Sequence, residues 1–322
     1  MIPSRIVDGA APLRAPFPWF GGKSRVAHLV WERFGDVPLY VEPFAGSLAV
    51  LLGRPHAPGR EVVNDLDCYL ANFWRAVKAA PAAVAVHADW PINEADLQAR
   101  HVWLVSEGRS IAERCKADPE FYDPRVAGWW LWGLCSWIGS GWCAERPALQ
   151  LPRLDRAGVG VFTLDRRGDI RGEMDALTAR LRRVKVACGE WSRVLSPAIT
   201  TASNGTRTLT AVFLDPPYDG EGHAVEYAAG TGSVAADVRA WALENGSNPL
   251  LRIALCGYAG EHDDLQDAGW DVLPWKAKGG YGSQGTGRGR DNASRERIWF
   301  SPHCIPAVPA QGSIFDLQEE AA

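Results

Sequence analysis

The chain of 322 residues is 47% hydrophobic and 22% charged, with a formal net charge of −4; this is the balance of a soluble globular protein, long enough for one large α/β domain and an insertion. A net acidic chain does not coat nucleic acid indiscriminately, although it leaves room for a local basic groove. Seven cysteines with no C-x-x-C pair, no histidine pair at metal-ligand spacing, no span-length apolar run and no signal-like N-terminus argue against a disulfide framework, a metal site and a membrane partner; a cytoplasmic enzyme is expected.

Residues 1–15 read as a loose tail with Pro and Ala but no periodicity. Next comes Trp19-Phe20-Gly21-Gly22-Lys23, a close turn between an aromatic and a cation. Residues 38–41 read as a strand, followed by the tight turn Glu42-Pro43-Phe44-Ala45-Gly46-Ser47 and an apolar helix over 48–52. The small residues let a ligand approach the backbone, and Ser47 is the expected helix cap. The three-glycine dinucleotide spacing is absent, which favours an uncharged or cationic nucleoside over a dinucleotide. A second strand, 61–65, ends in Asn64-Asp65. An acid about twenty residues past such a turn typically receives a ribose hydroxyl, with Asp67 competing as a mere helix cap. The helix that follows, 69–80, keeps Leu70, Phe73 and Val77 at helical spacing.

From 81 to 184 the rhythm changes to a tryptophan-rich, proline-punctuated segment, read as an inserted, mainly helical unit. Its tryptophans read mostly as core. Trp137, beside the glycine-broken turn Ile138-Gly139-Ser140-Gly141, and Arg146 are the candidates for groove contact. Its last helix, 173–184, places Leu177, Leu181 and Val184 on one face. A third strand, 184–188, runs into Gly189-Glu190-Trp191. The apolar run Ala211-Val212-Phe213-Leu214 is a buried strand closed by Asp215-Pro216-Pro217-Tyr218. The prolines fix φ and stop the ladder, holding one carboxylate and one ring at a strand's C-terminal end, where open α/β sheets place their ligands. Such a carboxylate accepts from an exocyclic amine while the ring stacks on the base that carries it. A helix with Val238, Trp241 and Leu243 follows, then a strand over 250–255 and a final hairpin of 270–273 and 297–300. Between the hairpin arms lies a glycine-rich loop. Lys276, Lys278, Arg288, Arg290, Arg295 and Arg297, against Asp291 and Glu296, give that stretch a local excess of four positive charges. No helix start follows as a P-loop would need, so the loop reads as an arm that closes on a nucleic-acid backbone. Residues 305–322 read as a weakly structured tail.

The ordered set W-F-G-G-K, E-P-F-A-G-S, N-D and D-P-P-Y resembles the Dam-type DNA adenine-specific (N6) methyltransferases, phage-encoded members among them. The resemblance implies a Rossmann-like, S-adenosyl-L-methionine-dependent core formed by 16–80 and 185–304, a mostly parallel sheet ending in an antiparallel hairpin. It implies that 81–184 form a DNA-recognition unit and that the partner is double-stranded DNA. By the same resemblance, Trp19, Phe20, Gly21, Gly22 and Lys23 cover the cofactor. Glu42, Pro43, Phe44, Ala45, Gly46 and Ser47 hug its methionine part, Asp65 takes the ribose, and Glu190 with Trp191 borders its adenine ring. Asp215, Pro216, Pro217 and Tyr218 hold a flipped target adenine, with Asp215 also bordering the cofactor. No metal, covalent intermediate or obligatory protein partner is implied. The same motifs could serve the N4 amine of cytosine, a group larger than methyl, or a catalytically silent DNA-binding module. Tyrosine after Pro-Pro and the motif order favour adenine, and the intact motifs argue against the silent module. The chain has Trp132-Gly133-Leu134-Cys135-Ser136-Trp137 in place of the family's Asn, Arg and Phe-Asn-x-Pro pattern, so no recognised DNA sequence, GATC included, is implied.

Overall fold

A computed structural model describes residues 13–19, 21–137, 142–143, 169–200, 202–203, 206–218, 233–275 and 295–307. Strands β1 (Leu39–Glu42), β2 (Arg60–Asp65), β3 (Val184–Cys188), β6 (Thr210–Leu214) and β7 (Leu251–Tyr258) pair in parallel. The short strands β4 (Ala202–Ser203) and β5 (Thr206–Arg207) pair only with each other. β8 (Asp271–Pro274) and β9 (Glu296–Phe300) are antiparallel, and β9 inserts between β7 and β8, giving the order β3-β2-β1-β6-β7-β9-β8. This is the mostly parallel Rossmann-like sheet with a terminal hairpin. β1 and β6 are buried along their whole length, as befits parallel strands covered on both faces.

Alternation sends Tyr40, Phe213, Cys256, Ile298 and Phe300 to one face, against α1 (Ala27–Phe34) and α3 (Cys68–Ala79). Val41, Val212, Leu214, Ile253 and Trp299 go to the other, against the helix Val234–Asn245. Asp67 caps α3, its carboxylate accepting from the amides of Tyr69 at 2.8 Å and Leu70 at 3.3 Å. The same cap signal moves the helix expected over 173–184 back to Ile170–Leu181, where Asp169 accepts from the Gly172 amide.

Helices α4 (Pro81–Ala88), α5 (Glu94–Ala117) and α6 (Pro124–Ser136) make residues 81–136 mainly helical. Val84, Ala88, Trp130, Leu131, Met174 and Leu177 belong to the same buried cluster as Trp31, Trp74 and Phe213, so these helices share the core of the sheet. Among the described residues, no helix is long and apolar enough to cross a membrane.

One buried ionic cluster ties the helix Ile170–Leu181 to the sheet. Glu61 of β2 accepts from Arg180 at 2.6 and 2.9 Å and from Arg54 at 3.2 Å, with no exposure of its side chain. Removing one partner of such a cluster leaves uncompensated buried charge, which costs about 3–5 kcal/mol. Glu61→Ala is therefore expected to lower the urea midpoint by that equivalent with an unchanged slope; an unmoved midpoint would refute this assignment.

Candidate active site

The order of the sheet reverses between β1 and β6, and such a switch point opens a crevice at the C-terminal strand ends. Glu42 closes β1 and Asp215 follows β6 at this point. β7 runs three residues beyond the strand expected from sequence, so Cys256 and Tyr258 extend past Leu255, the partner of Leu214. β9 begins at Glu296, opposite Tyr258. Two-residue alternation continues the Tyr40, Phe213, Cys256 and Ile298 face into Glu42, Asp215, Tyr258 and Glu296. A row of acids and hydroxyls therefore stands on one face, at one edge.

Lys23 reaches into this row. Its ammonium donates to the Gly21 carbonyl at 2.8 Å, pairs with Asp215 Oδ1 at 2.9 Å, and lies 3.9 Å from Glu296 Oε2. It is 3% exposed. Burial alone would discharge it, but the fields of Asp215 and Glu296 outweigh that cost and hold its pKa above the ordinary lysine value. Tyr218 Oη lies 3.1 Å from Asp215 Oδ1 and 3.0 Å from Glu296 Oε2. Its ring meets that of Tyr258 edge-on at 4.7 Å. Glu42 is pushed well above the usual carboxylate range by burial and by Asp215 and Glu61, against the hydroxyl of Tyr40, which donates to it at 3.0 Å. Burial, with Asp215, also raises Glu296. Asp215 and Glu296 thus share one ammonium, with Glu42 beside Asp215.

The other side of the crevice is built by the turn after β1. Gly46 has φ +47, and a Cβ there would lie 2.7 Å from Trp19 Nε1, so only glycine allows the indole to close on the turn. The Gly46 amide donates to Asp65 Oδ2 at 3.0 Å, and its carbonyl accepts from the Trp74 indole at 3.1 Å. Asn64 donates to the carbonyls of Pro43 at 3.0 Å and Gly189 at 2.9 Å, stitching the ends of β1 and β3 to β2. Its own Oδ1 is buried with no partner among the described residues. Phe44 and Trp191 stack at 6.1 Å. Glu190 is exposed at the end of β3, where its carboxylate accepts from the Ser192 amide. Asp65 is half-buried; burial and Asp67 push its carboxyl upward against three backbone amides.

Several expectations change. Ser47 does not cap α2 (Ala49–Leu52): the residue before the helix is Leu48, left-handed at φ 54 and without a side-chain cap. Leu48 is wholly buried, and its place in the core fixes that turn. Lys23 is brought to Asp215. Trp137 is 5% exposed and stacks on His101 at 5.0 Å in a small core with Leu97 and Trp132; it packs the helices and has no open face for a base. Arg295 is exposed, its guanidinium 5.3 Å from the Tyr258 ring, and Arg297 donates to the Glu296 carbonyl at 2.9 Å. Phe20, Arg146, Lys276, Lys278, Arg288 and Arg290 lie outside the described residues. Glu296, Tyr258 and Cys256 were not singled out from sequence. The signal for Glu296 was an acid on the apolar face of its strand, two residues before Ile298 and four before Phe300.

Residues 19–96 match a family model described as D12 class N6 adenine-specific DNA methyltransferase. No curated protein matches the chain. The matched span holds W-F-G-G-K, E-P-F-A-G-S and N-D. Asp215-Pro216-Pro217-Tyr218 lies beyond it in sequence, yet the fold sets it against Lys23 of that span. Over residues 19–96 the chain is thus similar to the D12 class N6 adenine-specific DNA methyltransferases.

Proposed function

We propose that the methyl group comes from S-adenosylmethionine bound across the ends of β1, β2 and β3, and that the target is an adenine flipped out of duplex DNA onto Asp215 and Tyr218. One observation carries this reading. Lys23 and Tyr218 both engage Oδ1 of Asp215, while Oδ2 has no partner among the described residues and remains for an incoming amine.

The residues on the donor side fit such a cofactor. The Gly46 turn admits a close ligand, Asn64 has an unpartnered oxygen among the described residues, and the Phe44–Trp191 pair offers an aromatic wall. Bound there, S-adenosylmethionine supplies an electrophilic methyl on a sulfonium. Asp65 receives the ribose hydroxyls, and Glu190 with Trp191 borders the cofactor's base. On the target side, Pro216 and Pro217 fix the backbone so that Asp215 Oδ2 and the Pro216 carbonyl accept from the N6 amine. Those acceptors align the nitrogen lone pair with the methyl and stabilise positive charge as it develops on nitrogen. The Tyr218 ring stacks on the flipped base, offsetting an unstacking cost of a few kcal/mol.

β8 ends and β9 begins at the same sheet edge as the site. The basic residues of 276–294 lie outside the described residues, and we propose that they meet the DNA backbone.

Asp215→Ala is expected to abolish transfer while leaving donor binding intact, because the lost acceptor acts in the transition state; near wild-type turnover, read by nucleoside analysis after incubation with labelled donor, would refute the role. Lys23→Ala should also act on turnover, whereas Asp65→Ala should weaken donor binding by about 1.5–3 kcal/mol in calorimetric titration. Unchanged donor affinity in Asp65→Ala would remove the ribose assignment. Replacing Arg288 and Arg290 together by alanine should weaken binding to every DNA alike and flatten the log–log salt dependence by about one unit per lost contact. Equal salt slopes would show that the arm does not touch phosphate.

A further inference from the structure

Tyr218 Oη sits between two carboxyl groups, 3.1 Å from Asp215 Oδ1 and 3.0 Å from Glu296 Oε2. A phenol carries one proton, so it cannot donate to both. Both contacts are hydrogen bonds only if one carboxyl group brings a proton of its own. Lys23 decides which one. Its ammonium is 2.9 Å from Asp215 and only 3.9 Å from Glu296, so Asp215 is the better-stabilised carboxylate. We propose that Glu296 is a positioning residue that carries a proton in the resting enzyme and donates it to the Tyr218 hydroxyl, so that Tyr218 in turn donates to Asp215. The chain Glu296–Tyr218–Asp215, anchored by Lys23, fixes the ring that receives the base and turns Oδ2 of Asp215 toward the amine.

The surroundings agree. Glu296 is 6% exposed, and burial and the nearby Asp215 raise its carboxyl pKa, against Lys23 and the Tyr218 hydroxyl. The groups that face this triad are Lys23 from the N-terminal segment, Glu42 on β1 beside Asp215, Cys256 and Tyr258 on β7, Glu261 just beyond β7, and Arg295 at the start of β9 over Tyr258. The thiol of Cys256 and the phenol of Tyr218 are both raised well above their ordinary values by burial. Tyr258 is raised as well, by burial first and then by Glu296.

The inference rests on the reading of Asp215 and Tyr218 as the target site, and the experiment separates the two. Transfer kinetics would be measured for Glu296→Gln, Glu296→Ala, Tyr218→Phe and Tyr218→Phe/Glu296→Ala, with donor affinity by calorimetry and Asp215→Ala as reference. The glutamine amide donates to Oη as the protonated acid does. It should restore most of the turnover that Glu296→Ala loses, a loss of about tenfold or more for one buried hydrogen bond, with donor affinity unchanged in both. In wild type, kcat/KM, which reports the free enzyme, should fall as rising pH ionises Glu296; Glu296→Gln should lack that limb. In the Tyr218→Phe background, Glu296→Ala should add little. Glu296→Gln as impaired as Glu296→Ala, a basic limb that survives in Glu296→Gln, or additive losses in the double variant would each overturn the proposal. An active Asp215→Ala would instead overturn the reading beneath it.

Discussion

The contact on which the site depends is the ion pair between Lys23 and Asp215. An ammonium that is almost wholly withdrawn from water is expensive unless paired and hydrogen-bonded. Here the Gly21 carbonyl and the Asp215 carboxylate together meet that demand. The pair joins a turn ahead of the first strand to the end of β6 and places one cation where Glu42, Asp215 and Glu296 would otherwise repel one another. The glycines of W-F-G-G-K follow from this requirement. Gly21, at φ +71, aims its carbonyl at the lysine amine, a conformation that side-chain-bearing residues adopt at a cost.

The turn after β1 serves two halves of one crevice. Glu42 looks toward Asp215, while the Pro43 carbonyl accepts from Asn64 and the Gly46 amide donates to Asp65. A single stretch of six residues at the switch point thus reaches both the end of β6 and the end of β2. Leu48, held left-handed with its side chain in the core, shows that the turn tolerates backbone strain of the kind found at functional sites.

Much of this was legible in the sequence. Buried parallel strands are apolar runs, so 38–41, 61–65, 184–188 and 211–214 announced themselves within a residue of their true ends. The bland reading of the inserted segment's tryptophans held for Trp130 and Trp132, both buried, while Trp90 is exposed. Asp67 proved to be the cap, leaving Asp65 to the turn. The failures share a cause, which is that spacing along a chain says nothing of partners across it. Trp137 read as a loop aromatic because its stacking partner, His101, comes from another helix. Lys23 was assigned by its motif neighbours, while its charge is answered far along the sequence. Glu296 was counted as one acid diluting a basic stretch. Only the register of β9 on β7 makes it an inward-facing group. Leu243, placed on the apolar face of its helix, is exposed, and Ala242 takes the buried position.

The insertion of β9 between β7 and β8 bears on how the enzyme comes into being. A ribosome delivers β8 before β9, so the nascent sheet has a gap beside β7 until residues 296–300 emerge. The strand that fills the gap also carries Glu296 to Tyr218, long after Lys23 has been made. The cluster of Lys23, Asp215, Tyr218 and Glu296 is therefore completed only when the last strand of the sheet arrives. It closes loops of high sequence separation, which form slowly. Until β9 is made, a growing polypeptide cannot hold Tyr218 between its two carboxyl groups.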